Sequence, residues 1–123
     1  MGTSGFSYDD WVGPFYPSGM PKKDWLLYYA REFNACEINA TYYTLLRPEV
    51  LESMAVKTGN DFHFVVKANR QMTHEREDNE EVFNAFREML SPLLERRKMG
   101  SVLAQFPYSF KLNDQNRGYV EAF

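Results

Sequence analysis

Apolar positions in this chain recur at two spacings, and the two spacings take turns. A period near two marks three short strands: Cys36 to about Asn39, Phe62 to Lys67, and Val102 to Pro107. Gly2-Thr3-Ser4-Gly5 adds a fourth at the N-terminus. Between them the period lengthens to three or four. Trp25, Leu26, Tyr28, Tyr29 and Phe33 predict a helix that begins after Pro21 and stops near Asn34. Pro48 opens a second helix, since its fixed φ and missing N–H cost little in a first turn. Val50, Leu51, Met54 and Ala55 form its apolar face, and Thr58-Gly59 ends it.

After a polar loop from Asn69 to Asp78, a third helix carries Val82, Phe83, Phe86, Met89, Leu90, Leu93 and Leu94. Asp78 with Glu81 resembles a capping box. Pro92 is expected to kink or split this helix. Glu95-Arg96-Arg97-Lys98 is expected to place positive charge in its last turn, against the helix dipole, before Gly100. Tyr119, Val120 and Phe123 begin another amphipathic pattern.

Strand, helix, strand, helix with short loops predicts an α/β fold with parallel pairing through right-handed crossovers. Each strand turns polar at its C-terminal tip, which is how a (β/α) barrel of the TIM type assembles a site at one end. The expected domain is 1–123, covering about the first four βα units. Four units leave sheet edges bare, so either the remainder of a longer barrel or a partner is expected to cover them.

Composition narrows the partners. A net charge of −3 and a pI near 5.4 do not favour a basic nucleic-acid surface, although a local positive pocket stays open. The single cysteine, Cys36, fits a reducing compartment. No apolar run reaches the roughly 18 residues of a membrane span, and no signal-peptide pattern is present. A soluble cytoplasmic protein is expected.

Strand alternation sorts the candidate chemistry. Glu37 and Asn39 lie opposite Cys36 and Ile38; His63, Val65 and Lys67 lie opposite Phe62, Phe64 and Val66; Leu103 and Gln105 lie opposite Val102, Ala104 and Phe106. The mixed faces are expected to point into the barrel, with Asn39, Lys67 and Gln105 nearest its mouth. Glu37 and Lys67 then stand on neighbouring strands. They read either as a base beside a substrate-binding cation or as an ion pair that neutralises two charges inside a barrel.

His74 sits in the loop after the third strand, as a proton-transfer group or ligand, with Arg70 or Arg76 able to grip an anion. His63, at a strand start, reads as structural. Gly2 to Gly5 is a weak phosphate signal without the loop spacing or its lysine, and tight packing explains it as well. Tyr8, Trp11, Phe15 and Tyr16 either stack on a sugar or base or form the loop's own core. Of Tyr42 and Tyr43, one is expected to face the pocket and the other to pack. No zinc, serine-elbow or cysteine-nucleophile pattern is present. Glu37, His74 and Gln105 are at most part of an oxygen and nitrogen metal set, so metal and cofactor stay open.

Taken together, Gly2-Thr3-Ser4-Gly5-Phe6-Ser7-Tyr8, Trp11 to Pro17, Glu37 to Tyr43, Val66-Lys67-Ala68, Thr73-His74-Glu75 and Gln105 to Phe110 resemble the YecE-like family, known as domain of unknown function 72. Phe6 stands where the family often has Trp, and Tyr108 where it often has a second Pro. The resemblance implies a TIM-type barrel of about twice this length, with this chain its N-terminal half. The family's activity is not established, so its motif positions here (Tyr8, Trp11, Glu37, Asn39, Tyr42, Lys67, His74 and Gln105) are marked without roles. The expected function is an enzyme acting on a small polar or anionic substrate. Glu37 or His74 would transfer a proton and Lys67 would hold an anion. Asn39 and Gln105 would orient the substrate, and Tyr8, Trp11, Tyr42 and Arg70 would line the site. The competing expectations are a non-catalytic binder of nucleic acid or a phosphorylated ligand, and an interaction domain with a purely structural mouth.

Overall fold

The computed structural model describes residues 1–123. Strands β1 (Gly2–Ser4), β2 (Ala35–Ile38), β3 (His63–Lys67) and β4 (Met99–Leu103) form one sheet in chain order. Every pairing is parallel. The connections carry α1 (Trp25–Glu32), the short α2 (Ala40–Tyr43), α3 (Pro48–Val56) and α4 (Glu80–Glu95), and α5 (Asp114–Ala122) follows β4.

One face of the sheet is apolar and closed. Cys36, Ile38, Phe64 and Val66 join Leu26 and Tyr29 of α1, Leu51 and Ala55 of α3, and Phe86, Met89 and Leu93 of α4 in a single core. Each fully buried side chain of this size contributes roughly 1.5–3 kcal/mol of transfer free energy. That is why the 3.6-residue stripe of α4 and the two-residue alternation of β3 point at each other. The opposite face, with Ser4, Glu37, Val65, Lys67 and Leu103, is only partly covered or exposed. β1 and β4 are both edges, each with a single strand neighbour.

Several sequence expectations need correction. The fourth strand begins earlier and ends at Leu103, because β4 takes its register from β3, with Phe64 opposite Met99 and Lys67 opposite Leu103. Gly100 accommodates a bulge between those pairs. Gln105 therefore lies beyond the strand, and alternation no longer fixes its direction. The loop after β3 contains a π-helical turn, Gln71–Glu75, closed by Arg76 at φ 58° in the left-handed region. Asp78 does not cap α4: it too has positive φ, and Asn79 occupies the N-cap without a side-chain cap bond.

Pro92 does not split α4, which runs through it. Its missing N–H leaves the Glu88 carbonyl without the usual partner, and Ser91 Oγ donates to that carbonyl at 2.8 Å. The basic run falls past the helix end rather than in its last turn. Arg96 reaches back to Glu52 of α3. Lys98 is 96% buried by accessible area, being 4% exposed. Its ammonium donates to Thr58 O (3.1 Å), Thr58 Oγ1 (3.0 Å) and Gly59 O, tying the end of α3 to the start of β4.

Candidate functional site at the strand tips

Parallel pairing brings the C-terminal ends of all four strands to one edge of the sheet. Ser4 pairs with Glu37, Glu37 with Val65 and Val65 with Ser101, so these side chains form one row on the open face. Lys67 and Leu103 lead the next row. Asn39 follows Ile38, whose partner is Val66, and so stands level with Lys67.

At the β1–β2 end, the carboxylate of Glu37 accepts from Ser4 Oγ at 3.1 Å through Oε1. Ser4 Oγ in turn accepts from Asn39 Nδ2. A serine hydroxyl has one proton, so donating to Glu37 requires that it accept from the Asn39 amide, which fixes the orientation of that amide. Asn39 Oδ1 is then left buried with no donor. Gly5, Phe6, Ser7 and Tyr8 wall one side of a cleft of about 310 Å³, and Glu37, Ile38 and Asn39 wall the other. Gly5 is required here: its φ is +81°, and a Cβ would sit 2.3 Å from the Tyr8 hydroxyl. Gly2 is equally constrained, since a Cβ would overlap the Ala35 carbonyl oxygen at 1.9 Å. These glycines serve close packing.

At the β3 end, Lys67 Nζ lies 4.7 Å from the centroid of the Tyr42 ring. The Tyr42 ring meets His74 edge-to-face at 5.3 Å. His74 Nδ1 is 2.9 Å from the hydroxyl of buried Thr73, which leaves Nε2 with no protein partner. Arg76 Nη1 donates to the carbonyls of Thr73 (2.9 Å) and His74 (3.2 Å) while its guanidinium lies 4.9 Å from the Phe110 ring. Arg76 thus holds the turn rather than a ligand. Arg70 pairs with Glu75 at 3.3 Å. Tyr43 is 75% exposed and packs only edge-to-face on Tyr42, at 5.0 Å, rather than into the core.

No ion pair joins Glu37 and Lys67. The carboxylate turns toward β1 and the ammonium toward Tyr42, although alternation places both on the same face of adjacent strands. Gln105 is exposed and hydrogen-bonds to none of the other candidates. No group of three His, Cys, Asp or Glu side chains is arranged to hold a metal ion.

The aromatic loop divides. Tyr16 is wholly buried and stacks on Trp25 at 4.8 Å; burial pushes its phenol pKa up. Trp11 and Phe15 pack against it. Tyr8 lies against Trp11 at 4.9 Å but is exposed and lines the cleft. The loop is therefore largely its own core, with Tyr8 as its contribution to the site. Three polar residues that alternation did not single out brace the tips. Thr41 Oγ1 donates to the Lys67 carbonyl at 2.6 Å. Asn69 Nδ2 donates to the Thr41 carbonyl at 3.0 Å, and Thr73 positions His74. Their one signal in the sequence is a polar residue in the loops that follow β2 and β3, Thr41 and Asn69 within a few residues of the strand ends and Thr73 in the turn beyond.

The fold and the site define an open, parallel α/β unit with its polar groups gathered at the strand tips. Comparison with known proteins places the chain in a family. A model described as protein of unknown function DUF72 matches residues 1–123, and the chain belongs to that family. It is 31% identical to UPF0759 protein YunF of Bacillus subtilis over 98% of its own length and 44% of that protein. UPF0759 protein YecE of Escherichia coli K12 is 33% identical over 67% of the chain and 30% of its own length. The fold superposes on the crystal structure of a DUF72 family protein from Thermotoga maritima with a TM-score of 0.81 at 38% identity, covering 97% of this chain and 48% of that one. A DUF72 family protein from Enterococcus faecalis gives a TM-score of 0.82 at 24% identity, over 98% and 44% of the two chains. The chain thus spans about half the length of the relatives it matches, or less. No helix is long and apolar enough to cross a membrane.

Proposed function

We propose that this chain supplies one side of an active site at the C-terminal mouth of a TIM-type (β/α) barrel, and that the enzyme acts on a small polar or anionic substrate. The barrel reading is supported by four parallel strands in sequential order, by open edges on both sides, and by relatives about twice as long. A cytoplasmic location belongs to the same proposal and rests on the free, buried Cys36.

The observation that carries the catalytic reading is the separation of Glu37 from Lys67. A structural pair inside a barrel gains stability only by joining, because each charge otherwise keeps its desolvation penalty. Here each charge is held by a neutral partner, Ser4 for the carboxylate and Tyr42 for the ammonium. That leaves a base and a cation presented to whatever occupies the face between them. Glu37, oriented by the Ser4–Asn39 chain, is the candidate proton acceptor. Lys67 would hold an anion or polarise an oxygen. His74, oriented through Nδ1, offers Nε2 for proton transfer. Asn39, Tyr8 and Tyr42 would position the substrate. The non-catalytic binder is supported less: Arg70 and Arg76 are engaged within the protein and most of the aromatic loop is core.

The test uses the full-length protein with a panel of small phosphates and carboxylates. Thermal stabilisation identifies anions that bind, and proton NMR follows their turnover. Lys67→Met is expected to abolish stabilisation, while Glu37→Gln or His74→Ala should abolish turnover and leave simple anions still stabilising the protein. The proposal fails if Lys67→Met and His74→Ala leave both readouts unchanged. Steeply salt-dependent binding of single-stranded DNA, without turnover, would favour the binder instead.

A further inference from the structure

Within the catalytic reading above, on which this rests, we infer that the site takes a hydroxylated organic anion, a molecule with an acidic group at one end and hydroxyl groups at the other. The geometry points to two unlike ends. At the β3 end the unused capacity is donor capacity. Lys67 has no carboxylate partner, since the ion pairs in the structure join Lys22 to Asp9, Arg70 to Glu75 and Arg96 to Glu52. An ammonium over an aromatic face keeps the protons that point away from the ring free for an anion.

At the β1–β2 end the unused capacity is acceptor capacity. Glu37 Oε1 accepts from Ser4, while Oε2 has no donor. Asn39 Oδ1 is buried with no donor. Its orientation is dictated by the same serine proton that serves Glu37, so the amide cannot turn to satisfy it without breaking that chain. Buried polar atoms in folded proteins are nearly always paired, and an orphan at a cleft calls for an explanation. That atom has no surface open to the cleft, so a ligand hydroxyl meets it only if the wall gives way, and the acceptor open to a ligand as the site stands is Glu37 Oε2. The cleft beside these two acceptors is otherwise lined by Phe6, Ile38, Leu46 and Met54, with the Tyr8 ring at its wall. That lining suits the C–H faces of a sugar or sugar acid.

Adjacent strands run about 4.8 Å apart. Glu37 and Lys67 are diagonal neighbours on adjacent strands, and their side chains turn apart, toward β1 and toward Tyr42, so a ligand that meets both ends must be longer than a simple anion. Simple anions would fill one end only, and neutral polyols the other.

The full-length protein is titrated calorimetrically with matched probes: propyl phosphate, glycerol 3-phosphate, propionate, glycerate and glycerol. Glycerol 3-phosphate should bind about tenfold or more tighter than propyl phosphate, as expected for hydroxyls donating to a charged acceptor. If the acid is a carboxylate, glycerate over propionate should show that preference instead. Glu37→Gln should collapse the preference toward unity and leave propyl phosphate unchanged. Lys67→Met should weaken both anions of a pair alike. Equal affinity for the hydroxylated and plain anions overturns this inference while leaving the catalytic proposal standing. Binding of the anions that is indifferent to Lys67→Met overturns both.

Discussion

Lys98 offers a quantitative test of how the far end of the sheet is held. It is a buried ammonium whose three acceptors, Thr58 O, Thr58 Oγ1 and Gly59 O, all lie just past α3. Lys98→Met keeps the aliphatic stem and deletes the donors. Hydrogen bonds to charged groups contribute roughly 1.5–3 kcal/mol each in favourable cases, and stranding a buried acceptor costs about 1–3 kcal/mol. Gly59 is exposed, so water replaces that bond. Thr58 is buried, and its carbonyl is stranded. Against this, burial and the nearby charge of Arg96 pull the Lys98 pKa below its usual value, so the ammonium carries a desolvation cost that methionine removes. The net expected loss is about 2 kcal/mol. In a protein of the relatives' size that is a fall in Tm of roughly 4–8 °C. Thermal and urea unfolding of the full-length protein would read it, with Arg97→Ala, an exposed neighbour, as the control expected to change little. Ligand binding should be unaffected, since Lys98 precedes β4 and the strand tips lie at the other end. A Lys98→Met protein as stable as its parent would refute the reasoning, showing that desolvation outweighs the three bonds.

Two further outcomes follow from other parts of the chain. Burial raises the Cys36 thiol from 9.0 to about 11, so the folded state holds its proton where the unfolded chain releases it. Its contribution to stability should therefore be complete below about pH 9 and fade as pH rises through about 11; a thiol reagent at pH 8 should label it only in denaturant. Gly5→Ala forces a side chain into left-handed backbone against the Tyr8 hydroxyl. It should cost roughly 1–2 kcal/mol and weaken ligand binding by displacing Tyr8, and binding at the parental level would argue against Tyr8 as a cleft wall.

Much of the sheet was legible because two-residue alternation and parallel pairing reinforce each other. Once Phe64 and Val66 face the core, Val65 and Lys67 must face away, and the row with Glu37 follows from register. The end of β4 was not legible, since Val102 to Phe106 alternates as well as any strand, and only the pairing with β3 decides where it stops. The same holds for Lys98, which beside its two arginines reads as dipole-complementing charge in the last turn of α4 until the chain brings the end of α3 to it. The π-helical turn at Gln71–Glu75 has no period of its own. It depends on Asn69, Arg76 and Tyr119 bonding to its backbone from outside. At the site, alternation put Glu37 and Lys67 on one face but left ion pair and working residues equally open, because that choice turns on side-chain directions set by Ser4 and Tyr42.

A double-mutant cycle between Glu37 and Lys67 tests that separation most directly. Unfolding free energies of the full-length parent, Glu37→Gln, Lys67→Met and the double variant give the coupling between the two charges. Charges held apart by Ser4 and Tyr42 should couple by less than about 0.5 kcal/mol, at the low end of exposed pairs. A coupling above about 2 kcal/mol would mean that the two groups form a structural ion pair, and the site would lose the base and the cation on which its proposed chemistry depends.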